Sequence, residues 1–313
     1  MRIKITLSAD KSGIIDFNYQ HQLQAIIYEF LSKSNPDYSS WLHEQGYVYK
    51  NDKRFKLFVF SGIIFHKQIK IISSSGLNGL NDLSSLNGLN GLNSLNGSNG
   101  STGFSFKASQ INPFLFSFQI ASPVDKFIQH LIDGIFREGN EITLGRQKVT
   151  IYRIETLPDP MSSSNGSNSL NSLNGLNGLN SLNSSNCLTL RPLESPIFIK
   201  KPMPSGQRDI YLFPGDEGYA EFLNQNLLHK HETLYGKPFE GEPLKFNFHT
   251  INGKSVKQFT VFKKGIDGSV KPVNIKGTLQ SFTVSGSKEL IKIGFECGFG
   301  QNNSMGCGYV EVA

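Results

Sequence analysis

Three observations predict an α+β protein built from two mixed units in tandem. Short stretches alternate apolar and polar residues with a period of two, beginning with Ile3, Ile5 and Leu7, the mark of half-buried strands. Longer stretches place apolar residues at helical spacing instead. Strand and helix patterns then recur in the second half in a similar order.

In the first half, residues 2–8 read as a strand. Asn18 is placed to cap a helix whose apolar face is Leu23, Ile26, Ile27, Phe30 and Leu31, at i, i+3, i+4, i+7 and i+8. Asn35-Pro36 stops it, and a short helical turn follows over 39–44. Residues 55–61 and 63–72 read as strands, as do 103–107 and 113–120, the last through alternating Phe114, Phe116 and Phe118. A second helix is expected over 123–138. Pro123 stands in its first turn, and Phe127, Ile128, Leu131, Ile132, Ile135 and Phe136 lie on one face. Residues 149–157 close the unit. The order β-α-β-β-α-β is the ferredoxin-like arrangement.

The second half repeats that order less clearly. Residues 197–200 read as a strand, and 217–235 as a helix with Tyr219, Phe222, Leu223, Leu227 and Leu228 apolar. Strands follow over 244–250 and 275–285, then a short helix over 289–295 and a last strand over 309–312. The expected division is a first domain over 1–158, a linker over 159–187 and a second domain over 188–313.

Two segments depart from this patterning. Residues 73–103 and 161–186 consist almost wholly of Ser, Leu, Asn and Gly, with Asp82 their single charge. Their leucines recur every third residue, a period that fits neither helix nor strand. They read as triplet expansions left disordered, at a hairpin tip and in a domain linker, where exposed backbone tolerates insertion. The whole chain of 313 residues has 31 basic and 25 acidic side chains, a net +6; without the two segments the net is +7, and all 24 Phe and 10 Tyr remain. That excess favours an acidic partner such as RNA.

Other classes are excluded. No apolar run approaches the roughly 18 residues of a membrane span, and the N-terminus is charged and alternating where a signal peptide is continuously apolar. Cys187, Cys297 and Cys307 form neither a disulfide framework nor a zinc pattern. A reducing, cytoplasmic setting is expected, with no cofactor and no metal.

The C-terminal segment from Gly294 to Gly308 is the most specific feature. Gly298-Phe299-Gly300 and Gly306-Cys307-Gly308 flank a five-residue loop, the polar Gln301, Asn302, Asn303 and Ser304 followed by Met305. Glycines permit positive φ and close backbone approach, so that loop N–H groups can face phosphate oxygens. No dinucleotide or Walker pattern is present.

This segment resembles the glycine-rich C-terminal signature of the CRISPR-associated RAMP proteins, and most of all the pre-crRNA endoribonucleases, the sixth Cas family. The resemblance covers the chain apart from the two inserts and implies two ferredoxin-like domains acting on CRISPR repeat RNA. The implied activity is metal-independent cleavage by the RNA's own 2′-hydroxyl, giving 5′-hydroxyl and 2′,3′-cyclic phosphate ends. Such chemistry needs a base or orienting group near the 2′-OH, an acid at the leaving 5′-oxygen and a cation for the developing charge.

Of seven histidines, His21, His66, His130, His229, His231 and His249 read as surface or locally bonded residues. His43 differs, because it stands before Tyr47, Tyr49, Lys50, Lys53, Arg54 and Lys56. Such a basic and aromatic stretch suits a passing RNA strand. By resemblance, Tyr28 takes the place of a tyrosine near the 2′-OH, His43 that of the acid and Lys56 that of the charge stabiliser, with Lys50 and Lys53 as rivals. RNA contacts are expected from Lys50, Lys53, Arg54, Lys200, Lys201 and Arg208. In the loop they are expected from Gly298, Gly300, Gln301, Asn302, Asn303, Ser304, Gly306 and Gly308. The resemblance also admits a CRISPR effector complex as a partner, and the chain is expected as a monomer or homodimer. The sequence also admits a non-catalytic RNA-binding subunit, or a site for a small phosphorylated ligand.

Overall fold

The computed structural model describes residues 1–50, 53–72, 103–160, 187–204, 209–249, 255–264 and 269–313. The expected disorder of the inserts and the expected RNA contact of Arg208 fall outside the described residues.

The first half is a mixed α+β unit. Its central strand, Arg2–Ala9, lies antiparallel between Phe114–Ala121 and Gln147–Leu157, with Ile5 opposite Phe118 on one side and Ile154 on the other. Glu141–Leu144 extends one edge, and the short strands Val59–Phe60 and Ile64–Phe65 pair along the other. With Arg2–Ala9, Val59–Phe60, Phe114–Ala121 and Gln147–Leu157 counted first to fourth in the chain, they lie fourth, first, third, second across the sheet. Helices α1 (Tyr19–Ser34), α2 (Pro36–Glu44) and α3 (Asp125–Glu138) follow the apolar spacing of the sequence. The two long helices approach closely at Gly134, where a Cβ would lie 1.7 Å from the Phe30 carbonyl oxygen. Ile3, Ile5, Leu7, Leu23, Ile27, Phe30, Phe116 and Phe118 are buried together, each contributing about 1.5–3 kcal/mol relative to exposure.

The second sheet runs Lys245–Phe248, Phe282–Ser285, Cys187–Pro192, Val310–Val312. Read from the Val310–Val312 edge, its chain order is again fourth, first, third, second, with α4 (Tyr219–Tyr235) and α5 (Lys288–Cys297) as its two helices. Two antiparallel ribbons stand apart from it: Ile199–Lys201 with Ile210–Leu212, and Val256–Lys264 with Val270–Thr278.

Several sequence expectations are corrected. Leu57 adopts φ 52°, unusual for a residue with a Cβ, and splits the expected 55–61 strand into Arg54–Phe55 and Val59–Phe60. The expected 63–72 strand leaves the main sheet after Phe65, and Lys70–Ile72 instead joins Gly103–Phe106 and Gly13–Asp16 in a small sheet. Asn18 stands at the start of α1 without capping it; its Oδ1 accepts from the Thr260 N–H at 3.2 Å. The turn expected over 39–44 is the nine-residue α2, opened by Pro36 and capped by Asn35 Oδ1, which accepts from the Tyr38 N–H at 2.9 Å. Pro123 precedes α3. The first strand of the second sheet is Cys187–Pro192, so Cys187 belongs to a strand and 197–200 to a ribbon. The expected 275–285 strand is the end of one strand and the whole of another.

A buried polar seam joins the halves. Arg2 donates to the Tyr309 hydroxyl at 2.6 Å and to the Val310 carbonyl at 2.8 Å, and Tyr309 donates to Gln119 Oε1 at 2.7 Å. Lys257, on the longer ribbon, donates to Glu194 Oε2 at 3.0 Å and to the Tyr19 hydroxyl at 3.3 Å. A charge taken from water this way is tolerated only with such partners.

Candidate active site

The glycine-rich segment leaves α5 at Gly298 and returns to the sheet at Val310. Gly298, Gly300, Gly306 and Gly308 all have φ between 76° and 86°, a region open to glycine and costly for other residues. At Gly308 a Cβ would lie 1.9 Å from the Phe299 carbonyl oxygen, and at Gly300 2.6 Å from that of Phe198. The four glycines are buried, and their surroundings are the protein itself.

Five loop amides are engaged internally. Phe299 N–H donates to Gly308 O at 2.9 Å, Gln301 N–H to Phe198 O at 2.8 Å, and Gly308 N–H to Pro196 O at 3.0 Å; Met305 and Gly306 close a short 3₁₀ turn. The expected presentation of loop N–H groups to phosphate is corrected for these five. What reaches the surface is half-buried Gln301, Asn302, Asn303 and Ser304. Of these, Gln301 Nε2 donates to Lys200 O at 3.2 Å and Asn303 Nδ2 to Cys307 O at 2.8 Å.

The first half brings the three proposed catalytic side chains together. Tyr28, on α1, and His43, in the last turn of α2, have ring centroids 5.0 Å apart at an interplanar angle of 84°. Lys56 Nζ donates to the His43 carbonyl at 2.6 Å and to that of Leu42, so the ammonium sits at the negative end of α2. Burial, followed by the neighbouring Arg54, brings Lys56 down to about 8. Burial alone pushes the Tyr28 phenol up, which disfavours a phenolate. His43 is exposed. One turn before Tyr28, Gln24 Nε2 donates to the Ser304 carbonyl at 2.8 Å, tying α1 to the glycine loop.

Lys56 also lines a cleft of about 620 Å³ that runs between the halves. Lys53, Arg54 and Lys200 line it with Gln301, Asn302, Asn303 and Ser304, so half of the expected RNA contacts converge. Lys50, Lys201 and the four glycines do not line it. Lys50 pairs with Glu232, and Lys53 Nζ lies 2.9 Å from His229 Nδ1. Lys200 pairs with Asp209, and Lys201 is exposed on its ribbon. Of the histidines set aside, His66, His130, His231 and His249 each have a local partner at 2.6–2.9 Å.

Lys230 is missed by sequence reasoning. It is 2% exposed, and its Nζ donates to the carbonyls of Gly298 at 2.6 Å and Gly300 at 2.8 Å. Burial brings it down to about 7, with Cys297 opposing and Lys53 adding to the shift. The available signal was its spacing: Lys230 follows Leu223 and Leu227 at i+7 and i+3, on the buried face of α4.

Residues 180–312 match a family model described as CRISPR associated protein Cas6, C-terminal, and residues 14–84 match its N-terminal counterpart. The chain is 25% identical to CRISPR-associated endoribonuclease Cas6 1 of Methanocaldococcus jannaschii over 99% of its length and 92% of the relative's. It is 23% identical to CRISPR-associated endoribonuclease Cas6 of Pyrococcus furiosus, over 97% and 85% of the two chains. Among solved structures, the fold is similar to that of the product of a Cas6-related gene from Pyrococcus furiosus (TM-score 0.65, 21% identity, 100% and 98% of the chains). It is equally similar to a RAMP protein described as binding different RNA substrates (TM-score 0.65, 18% identity, 100% and 99%). With both regions matched in their order, the chain belongs to the Cas6 family of CRISPR-associated proteins.

Proposed function

We propose that this protein is an endoribonuclease that cleaves CRISPR repeat RNA without a metal ion. The 2′-hydroxyl beside the scissile bond attacks phosphorus, the bond to O5′ breaks, and the ends are a 2′,3′-cyclic phosphate and a 5′-hydroxyl. The observation that carries this reading is the meeting of Tyr28, His43 and Lys56 at the side of a basic cleft. Tyr28 orients the 2′-hydroxyl, since its raised pKa argues against a resting phenolate; the proton lost from that hydroxyl passes to solvent. His43 delivers a proton to O5′, a task that suits imidazole near neutral pH. Lys56 offers its remaining N–H to the charge that grows on the phosphoryl oxygens.

The cleft holds the RNA through phosphate contacts from Lys53, Arg54 and Lys200. In architecture, the protein is two ferredoxin-like units over 1–158 and 188–313, supported by the shared strand order of the two sheets. Incubation with repeat RNA in EDTA tests the function. Cleavage that disappears when the nucleotide 5′ of the cut is made 2′-deoxy is the expected result. Binding without product would make the chain an RNA-binding subunit, and cleavage that needs added metal would overturn the mechanism.

A further inference from the structure

The cleft has a floor that the catalytic reading does not use. Phe222, Asn226 and Lys230 follow one another at i, i+4 and i+8 along α4, hence on one face of the helix, and all three line the cleft. Phe222 is half-buried. Asn226 is 3% exposed, and among the described residues its Oδ1 has no hydrogen-bond partner. A buried acceptor left unpaired is destabilising, and such groups in native proteins are few. Lys230 uses two of its three N–H donors on Gly298 and Gly300, which leaves one.

The floor therefore offers an aromatic face, an unpaired carbonyl acceptor and an ammonium donor. Every unpaired nucleobase presents the complement: a π-face, an N–H donor and, beside it, an acceptor. The cleft volume of about 620 Å³ falls in the roughly 300–1,000 Å³ range of small-molecule pockets, ample for one base. A phosphate can accept from Lys230 and from the Asn226 amide N–H, but it has no donor for Asn226 Oδ1, which only a base would satisfy. We propose that this face of α4 is a nucleobase pocket. One unpaired base of the RNA packs on Phe222, donates to Asn226 and accepts from Lys230, so that the second half selects the sequence the first half cuts. The inference rests on the reading of the protein as an RNA-binding cleavage enzyme.

The test uses the full chain and the repeat RNA encoded beside its gene, with each nucleotide in turn made abasic or changed to the other three bases. For the wild type, one position is expected at which a change weakens binding about 5- to 100-fold, the discrimination of a good base contact. In Asn226→Leu that position loses its preference while the others keep theirs. The melting temperature of this variant is expected to stay level or rise, since an unpaired buried acceptor has been removed. Uniform weakening across all substitutions, or a lowered melting temperature with unchanged base preference, overturns the pocket and makes Asn226 structural. Asn226→Asp, nearly isosteric, is a second arm: it keeps an acceptor, so the preference is retained if the pocket is real and no different from Leu if it is not. Wild-type protein that binds no repeat RNA would instead remove the underlying functional reading.

Discussion

The two halves share a strand order and use it oppositely. In the first, α1 and α2 carry protic side chains outward: Tyr28 is half-buried, His43 exposed, and Lys56 half-buried at the end of α2. In the second, α4 and the glycine loop turn polar groups inward, so that Lys230 is buried against two loop carbonyls. Proton transfer needs groups that reach the RNA and exchange with solvent. Shaping a cleft needs groups whose partners are fixed. On the proposed function one topology thus supplies a reactive wall and a rigid wall, and variants in each half are expected to fail differently.

The largest expected effect lies on the reactive wall. His43→Ala should slow cleavage by about 10²–10⁴-fold, the usual contribution of a positioned acid, with RNA affinity nearly unchanged. Single-turnover rates beside filter-binding measurements separate the two; an unaltered rate would take His43 out of the mechanism. On the rigid wall the failure should be one of stability. Gly308→Ala places a Cβ 1.9 Å from the Phe299 carbonyl oxygen, at φ 80°. A loss of about 2–4 kcal/mol in denaturant unfolding is expected, and cleavage and binding should fall together.

A finer contrast comes from Lys230, whose ammonium is half-lost near pH 7 in the free protein. RNA phosphate in the cleft favours the charged form, so binding takes up a proton and affinity falls as pH rises above about 7, by at most tenfold per pH unit for one group. Lys56, near 8, adds its own share. The groups that act on Lys230, Lys53 and Cys297, are the same in Lys230→Arg, which stays charged at all these pH values. The variant should therefore lose the slope that sets in above pH 7 and keep only the part that begins near 8. An identical pH profile would show that Lys230 does not titrate on binding.

This contrast also marks what the sequence could reveal. The period-two runs through Ile3–Leu7 and Phe114–Phe118 and the helical spacing of α1 were legible because their burial is one-sided and local. Tyr28, His43 and Lys56 are proposed through resemblance, His43 also through its basic and aromatic surroundings, and the structure adds that they stand near one another. The second half was harder to read. Its first strand, Cys187–Pro192, begins directly after a low-complexity stretch, and its ribbon Val256–Lys264 packs on residues far away in the chain, Tyr19 and Glu194 among them. The inward turn of the loop amides depends on partners at Pro196 and Phe198, about a hundred residues earlier. No local pattern encodes such a meeting.

The smallest effect on cleavage is expected from the first insert, and there the structure makes the argument geometric. Ile72 and Gly103 are cross-strand partners in the antiparallel pair Lys70–Ile72 and Gly103–Phe106. Their Cα atoms are therefore about 4.5–5.5 Å apart, a gap that a two-residue Asn-Gly turn closes. Replacing 73–102 by Asn-Gly joins the two strands directly, and the variant is expected to fold at least as well as the wild type. The small sheet and the catalytic wall should persist, with cleavage rate and affinity within about twofold of wild type. If affinity instead drops tenfold or more while the melting temperature holds or rises, the insert itself contacts RNA. The reactive and rigid walls would then be joined by a third RNA-binding element that neither half's topology contains.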